Sequence, residues 1–240
     1  MINFENFKNA KDAVFALSNA LQTLVAMRES RFFNLALSGG GTAKIMFEIW
    51  RDFFSKKIDW SSVRFFWVDE RMVEDSSSES NFGEAYRNFF EPLKIPNSQI
   101  FKIDGTLPPE DEAARYEREV FNVLEDAGKK HCADTPQFDC VILGLGTDGH
   151  TASIFSGDKE ALTTKRMFVP ARHPESGQMR LTMSANAVLN SHEIFMLVLG
   201  DAKKEALRRL FSDIAKKSPE LPASFIVKNA ADISIFTDFV

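Results

Sequence analysis

The chain has 240 residues, with 29 Lys and Arg against 34 Asp and Glu, for a formal charge of −5. That balance argues against a dedicated nucleic-acid binder, which gathers a basic surplus to displace counterions from phosphates. A hydrophobic content of 44% excludes a predominantly disordered chain and supplies ample material for a core.

The opening MINFENFKNAKDAV has no basic region leading into an apolar run, so no export signal is expected. Ala10, Val14, Phe15, Leu17, Leu21, Leu24 and Val25 recur at helical spacing and predict an amphipathic helix over residues 9–27. Phe33–Leu37 is a short apolar strand running into Ser38-Gly39-Gly40-Gly41-Thr42, after which residues 43–54 return to helical periodicity. Residues 63–68 form a buried strand that stops at Asp69-Glu70-Arg71, followed by a polar loop over 74–80 and a helix over 81–90. A short strand over 99–103 and a helix over 109–127 come next. Residues 138–143 are apolar enough for the inside of a parallel sheet and feed Gly144-Leu145-Gly146-Thr147-Asp148-Gly149-His150. Strands over 167–169, 179–183, 194–199 and 233–236, and a helix over 202–215, complete the pattern.

Strands alternating with helices predict an α/β fold, a modified Rossmann-like and mostly parallel sheet flanked by helices on both faces. No repeat or linker marks a boundary, so residues 1–240 are expected to form a single domain. No stretch approaches the roughly 18 uncharged apolar residues of a spanning helix. Cys132 and Cys140 lack CxxC spacing, which fits a reduced, cytoplasmic setting. The 23 Phe against two Tyr and three Trp are expected to fill the core.

Ligands of such sheets bind beyond the carboxyl ends of the strands, where residues 38–42, 69–71 and 144–150 fall, so these segments are expected to share one cleft. The glycine loop suits a phosphate, because glycines let backbone N–H groups approach an anion and the helix N-terminus adds positive potential. The plainer alternative is a strand-to-helix turn with Thr42 as N-cap. GxxxxGK[ST] does not occur, and although residues 144–149 have GxGxxG spacing, His150 directly after them would crowd a dinucleotide pyrophosphate. That segment instead presents an Asp and a His, one ionised and one able to titrate near neutral pH. His131, His173 and His192 sit in polar surroundings and are expected on the surface.

The combination of SGGGT at 38–42, WVDER at 67–71 with Asn81 following, GLGTDGHTASIF at 144–155, MRLTMSANAVLN at 179–190 and GDAKKEAL at 200–207 resembles the 6-phosphogluconolactonase family. The resemblance spans nearly the whole chain and implies hydrolysis of 6-phospho-D-glucono-1,5-lactone to 6-phosphogluconate. It implies His150 as general base, Asp148 and Asp69 as groups that orient it or bind sugar hydroxyls, and Arg71 beside the developing oxyanion. It implies a phosphate held by Ser38, Gly39, Gly40, Gly41 and Thr42 with Asn81, Arg180 and Lys203. No cofactor and no metal are implied, and the partner is a small phosphosugar lactone, with neither nucleic acid nor membrane. The oligomeric state stays open between monomer and homodimer.

Two readings within the same superfamily compete with this one. A glucosamine-6-phosphate deaminase typically has Asp-Glu-Tyr where this chain has Asp69-Glu70-Arg71, and a glutamate where it has Phe155. A non-catalytic sugar-phosphate sensor needs a DNA-binding appendage, and no helix-turn-helix region or basic arm is seen. Two departures from the usual lactonase pattern concern Gly41 and Ala43, in place of Ser and Pro, and Ser156, in place of Pro.

Overall fold

Residues 33–37 and 140–143 are buried at every position, as strands covered on both faces must be. They are the centre of a six-stranded sheet in a computed structural model that describes residues 1–125 and 136–239. The strands are β1 (Ile2–Asn6), β2 (Phe33–Leu37), β3 (Val63–Trp67), β4 (Asp69–Arg71), β5 (Cys140–Leu143), β6 (Phe168–Arg172), β7 (Met179–Met183), β8 (Glu193–Val198) and β9 (Ile233–Thr237). The large sheet runs β1-β9-β8-β5-β2-β3, and every pairing in it is parallel.

From β2 the chain steps outward to β3, then returns to the other side of β2 and proceeds through β5, β8 and β9. The order therefore reverses between β2 and β5. Right-handed crossovers on the two sides of that point put the connecting helices on opposite faces. Gly41–Ile49 is the link from β2 towards β3, and Lys204–Ile214 with Pro222–Asn229 joins β8 to β9. The crevice at the reversal is where such sheets bind ligands.

A small antiparallel sheet, β4-β7-β6, grows from the end of β3. Val68 joins the two sheets: its N–H donates to Leu37 O at 3.0 Å and its carbonyl accepts from Met183 N at 2.6 Å. Asp69-Glu70-Arg71 is thus a strand and not the solvated turn that its three charges suggest. Its pairing with β7 fixes a register that a loop lacks.

The expected strand over 99–103 is absent. Asn97–Gln99 is a 3-10 turn and Ile100 makes one bridge to Phe65. The ladder stops because Tyr116 Oη takes the next groups, accepting from Trp67 N at 3.0 Å and donating to Phe101 O at 2.9 Å. β1 carries the opposite lesson. Its Phe4 is 45% exposed, so the segment shows no buried stripe, and its strand character comes from pairing with β9. The short helices Lys159–Thr163, Ala185–Leu189 and Pro222–Asn229 lie outside the sequence-based elements.

Nine of the twelve largest fully buried side chains are Phe, so the phenylalanine excess is core material. Each such side chain contributes about 1.5–3 kcal/mol through burial. The rings of Phe47, Trp50, Trp60, Phe65, Phe89 and Phe90 make a chain of edge and tilted contacts. Cys140 is buried and free. His131, Cys132 and the last residues of the helix expected over 109–127 lie outside the described residues; that helix is described as Pro109–Glu125. Among the described residues no helix is long and apolar enough to cross a membrane.

Candidate active site

A cavity of about 590 Å³ opens beyond the carboxyl ends of β2 and β5. Residues 38–42, Asp69, Arg71, Asn81, His150, Arg180 and Lys203 all line it, so segments distant in sequence meet where the sheet order reverses. Asp148 is not a lining residue and touches the cavity through His150.

The glycine loop is held from one side by Ser38, whose N–H and hydroxyl both donate to Ile142 O, at 3.1 and 2.9 Å. The Ser38 proton is therefore committed to the loop's own backbone. A Cβ on Gly39 would stand 2.0 Å from Asn81 Oδ1, so only glycine lets the loop approach that side chain. Gly40 has φ +83° and ψ −177°, a conformation essentially confined to glycine. Gly40, and not Thr42, is the N-cap of Gly41–Ile49, and no side chain caps the helix. The first-turn N–H groups are thus left for a ligand, with the helix dipole behind them.

β4 and β7 set the opposite wall. Their register places Asp69 across from Thr182 and Arg71 across from Arg180, and directly opposed residues share a face. Asp69 is 5% exposed and its Oδ2 accepts from Ser153 Oγ at 2.6 Å. The same hydroxyl accepts from Arg180 Nη1 at 3.2 Å. Arg71 donates through Nη1 to Glu79 O. The Nε of each arginine is buried without a partner. Burial also pulls the Arg180 guanidinium below its ordinary value, opposed by the charge of Asp69 and assisted by that of Arg71.

Glu70 points the other way along β4. Its carboxylate accepts from the N–H groups of Arg71, Asn81 and Phe82 at 2.7, 2.8 and 2.8 Å and from Ser80 Oγ at 3.1 Å. It thereby anchors the start of the helix Asn81–Ala85 beside the cavity. Burial pushes this carboxyl up to about 7 against the pull of those donors. Asn81 Nδ2 donates to Asp69 O at 2.9 Å, while its Oδ1 is buried without a partner.

The loop after β5 presents the imidazole. His150 Nδ1 lies 2.6 Å from Asp148 Oδ1. A carboxylate only accepts, so this contact keeps the proton on Nδ1 and leaves the lone pair on Nε2. Burial raises the Asp148 carboxyl, but the charge and hydrogen bonds of His150 outweigh it and hold it below the usual range. A Cβ on Gly146 would stand 2.2 Å from His150 Nδ1, so the close turn requires glycine. Phe155 packs on the other side of the imidazole, ring centroids 4.9 Å apart. His173 follows in that stack, 5.1 Å from Phe155, and is half-buried there where the surface was expected.

Lys203 is drawn below its ordinary value by burial, with Asp148 pulling it back up. Its loop is pinned by Asp238, whose carboxylate accepts from Gly200 N at 2.8 Å. Asp238 also lines the cavity and escaped the motif reading; its signal was its place just past the carboxyl end of β9. Glu70 escaped as well, because nothing in the sequence separates it from its two charged neighbours. Among the described residues no group of three or more His, Cys, Asp or Glu converges as a metal site would require.

A family model described as glucosamine-6-phosphate isomerases/6-phosphogluconolactonase matches residues 8–235. The chain belongs to this family. The chain is 37% identical to 6-phosphogluconolactonase of Treponema pallidum over 179 residues, 75% of this chain and 72% of that one. It is 32% identical to the Haemophilus influenzae 6-phosphogluconolactonase over 229 residues, covering 95% of this chain and 94% of the other. A crystal structure of 6-phosphogluconolactonase from Thermotoga maritima superposes with a TM-score of 0.80 at 27% identity, covering 99% and 98% of the two chains. Membership of the glucosamine-6-phosphate isomerase/6-phosphogluconolactonase family agrees with the mostly parallel sheet and with a cavity at its switch point.

Proposed function

We propose that this chain, as one unit of 240 residues, hydrolyses 6-phospho-D-glucono-1,5-lactone to 6-phospho-D-gluconate, the second step of the oxidative pentose phosphate pathway. It does so in the cytoplasm, without a cofactor or metal. The observation that carries the reading is the His150–Asp148 contact of 2.6 Å in a cavity that also holds an uncapped helix N-terminus and two arginines. Relatives that are 6-phosphogluconolactonases support the same activity.

The phosphate lies over the N–H groups of Gly40, Gly41 and Thr42, with Arg180 and Lys203 supplying permanent charge. His150 Nε2 takes a proton from a water molecule as the water oxygen adds to the lactone carbonyl. Asp148 stabilises the imidazolium through Nδ1–H. The carbonyl oxygen becomes an oxyanion, and Arg71 beside it lowers the barrier by about 3–4 kcal/mol. The intermediate collapses by breaking the bond between the carbonyl carbon and the ring oxygen, which leaves with the proton that His150 had accepted. Asp69 and Asn81 are left to hold sugar hydroxyls and the loop around them.

The isomerase half of the family description fits less well. An aldose–ketose rearrangement moves protons between carbon atoms and needs a further titratable group beside the base, and here the neighbour is the apolar Phe155. An acyl-serine route is disfavoured too, since no GxSxG occurs and the Ser38 and Ser153 hydroxyls are committed to backbone and carboxylate. The test is a coupled assay in which glucose-6-phosphate dehydrogenase makes the lactone and its decay is followed with and without the protein. Decay no faster than the spontaneous background overturns the reading.

A further inference from the structure

We infer that Ser153 is a positioning residue, a hydroxyl spacer that keeps Asp69 and Arg180 from pairing directly and so holds the guanidinium available to an anion in the cavity. This rests on the reading above that Arg180 meets the substrate phosphate.

Asp69 and Arg180 share one face of the β4–β7 ladder and stand diagonal to each other. At that separation an arginine reaches a carboxylate easily, and a bidentate pair would occupy two of its donors. Among the described residues the two make no ion pair. Between them stands Ser153, fully buried, its hydroxyl donating to Asp69 Oδ2 and accepting one bond from Arg180 Nη1. Asp69 Oδ2 is thereby paired through the hydroxyl, and the arginine spends Nη1 on Ser153 and Nη2 on Gln178 Oε1 at 3.5 Å. Its Nε stays buried without a partner, a donor directed at nothing that the protein supplies.

The chain goes to some lengths to put the hydroxyl there. Ala152, just before it, has φ +51°, a conformation that L-residues with a side chain rarely adopt. Thr151 and Ile154 close the turn with a bridge, and Ser153 N donates to Thr182 Oγ1 at 3.0 Å. Thr182 is the residue opposite Asp69, so the hydroxyl and its backbone are tied to the same two strands as the groups it separates. Phe155 lies below the guanidinium at 5.7 Å, which limits the directions in which Arg180 can turn. Removing the hydroxyl opens the short path to Asp69, and the guanidinium closes onto the carboxylate.

The test compares inorganic phosphate binding, by calorimetry, and lactone kinetics in the unsubstituted protein, Ser153→Ala, Ser153→Cys and Ser153→Thr. The near-isosteric Ser153→Cys serves should the alanine variant not fold, because its thiol accepts too weakly to hold Arg180. The expected result is at least a tenfold loss of phosphate affinity and a tenfold rise in KM in the Ala and Cys variants, with kcat within threefold. Ser153→Thr, which keeps the hydroxyl, is expected to restore phosphate affinity to within threefold. Phosphate affinity changed less than threefold in the Ala and Cys variants, or a loss confined to kcat, overturns the inference. An unsubstituted protein that binds phosphate but leaves the lactone unaccelerated overturns the hydrolytic reading alone, and one that accelerates the lactone but binds no phosphate overturns the inference alone.

Discussion

Arg71 and Arg180 stand directly opposite each other across β4 and β7, and each keeps a buried Nε without a partner. Like charges in that position repel, by up to about 1 kcal/mol in ordinary sheets. The arrangement makes sense as half of an anion site, in which the missing charge arrives with the ligand.

Inorganic phosphate or 6-phosphogluconate is therefore expected to raise the melting temperature. Saturation at about a hundred times Kd corresponds to about 2.7 kcal/mol. Arg180→Met is expected to melt no lower than the parent without ligand and to lose most of the ligand-induced shift. Arg71→Met is expected to lower kcat by about 10²–10³ in the proposed reaction. Thermal melts with and without ligand check the first two expectations, and steady-state kinetics the third.

The glycine loop separates geometry from chemistry. Gly40→Ala forces a side chain into a conformation reserved for glycine and is expected to cost about 1–3 kcal/mol of stability. Gly39→Ala pushes its Cβ into Asn81 and is expected to lower kcat/KM more than tenfold by displacing that side chain. A Cβ on Gly41 meets nothing within 4 Å, so Gly41→Ser is expected to leave stability unchanged and to tighten phosphate binding through an added hydroxyl. Chemical denaturation and phosphate calorimetry distinguish the three.

Glu70 gives stability a pH signature. Its folded-state carboxyl is raised to about 7 from an ordinary 4.5, so between those values the folded protein holds more protons than the unfolded chain. Its contribution is fully present below pH 4.5 and is lost as pH rises through about 7. Glu70→Gln is expected to flatten the stability profile across that window. It also weakens the anchoring of Ser80 and Asn81, with a rise in KM. Urea melts from pH 4.5 to 8 provide the measurement.

Much of the fold was legible because its signals are local. A run of Phe33, Leu35, Ala36 and Leu37 leading into the glycine loop announces β2, and the run before Gly144 announces β5. What escaped depends on partners elsewhere in the chain: β1 exists through β9, and the segment after Gln99 stops being a strand because Tyr116 intercepts its ladder. The candidate site was legible wherever a motif sits at a strand end, as with Ser38 to Thr42 and His150. Asp238 and Ser153 were not, because their places follow from packing across long sequence separations. The whole-chain charge of −5 likewise conceals a local cluster of Arg71, Arg180 and Lys203 around one cavity.

His150 carries the central claim, and one variant tests it most directly. His150→Ala, assayed with lactone generated in situ and corrected for spontaneous opening, is expected to lose about 10²–10⁴-fold in kcat while still binding 6-phosphogluconate. Turnover within a few-fold of the parent protein would contradict the account.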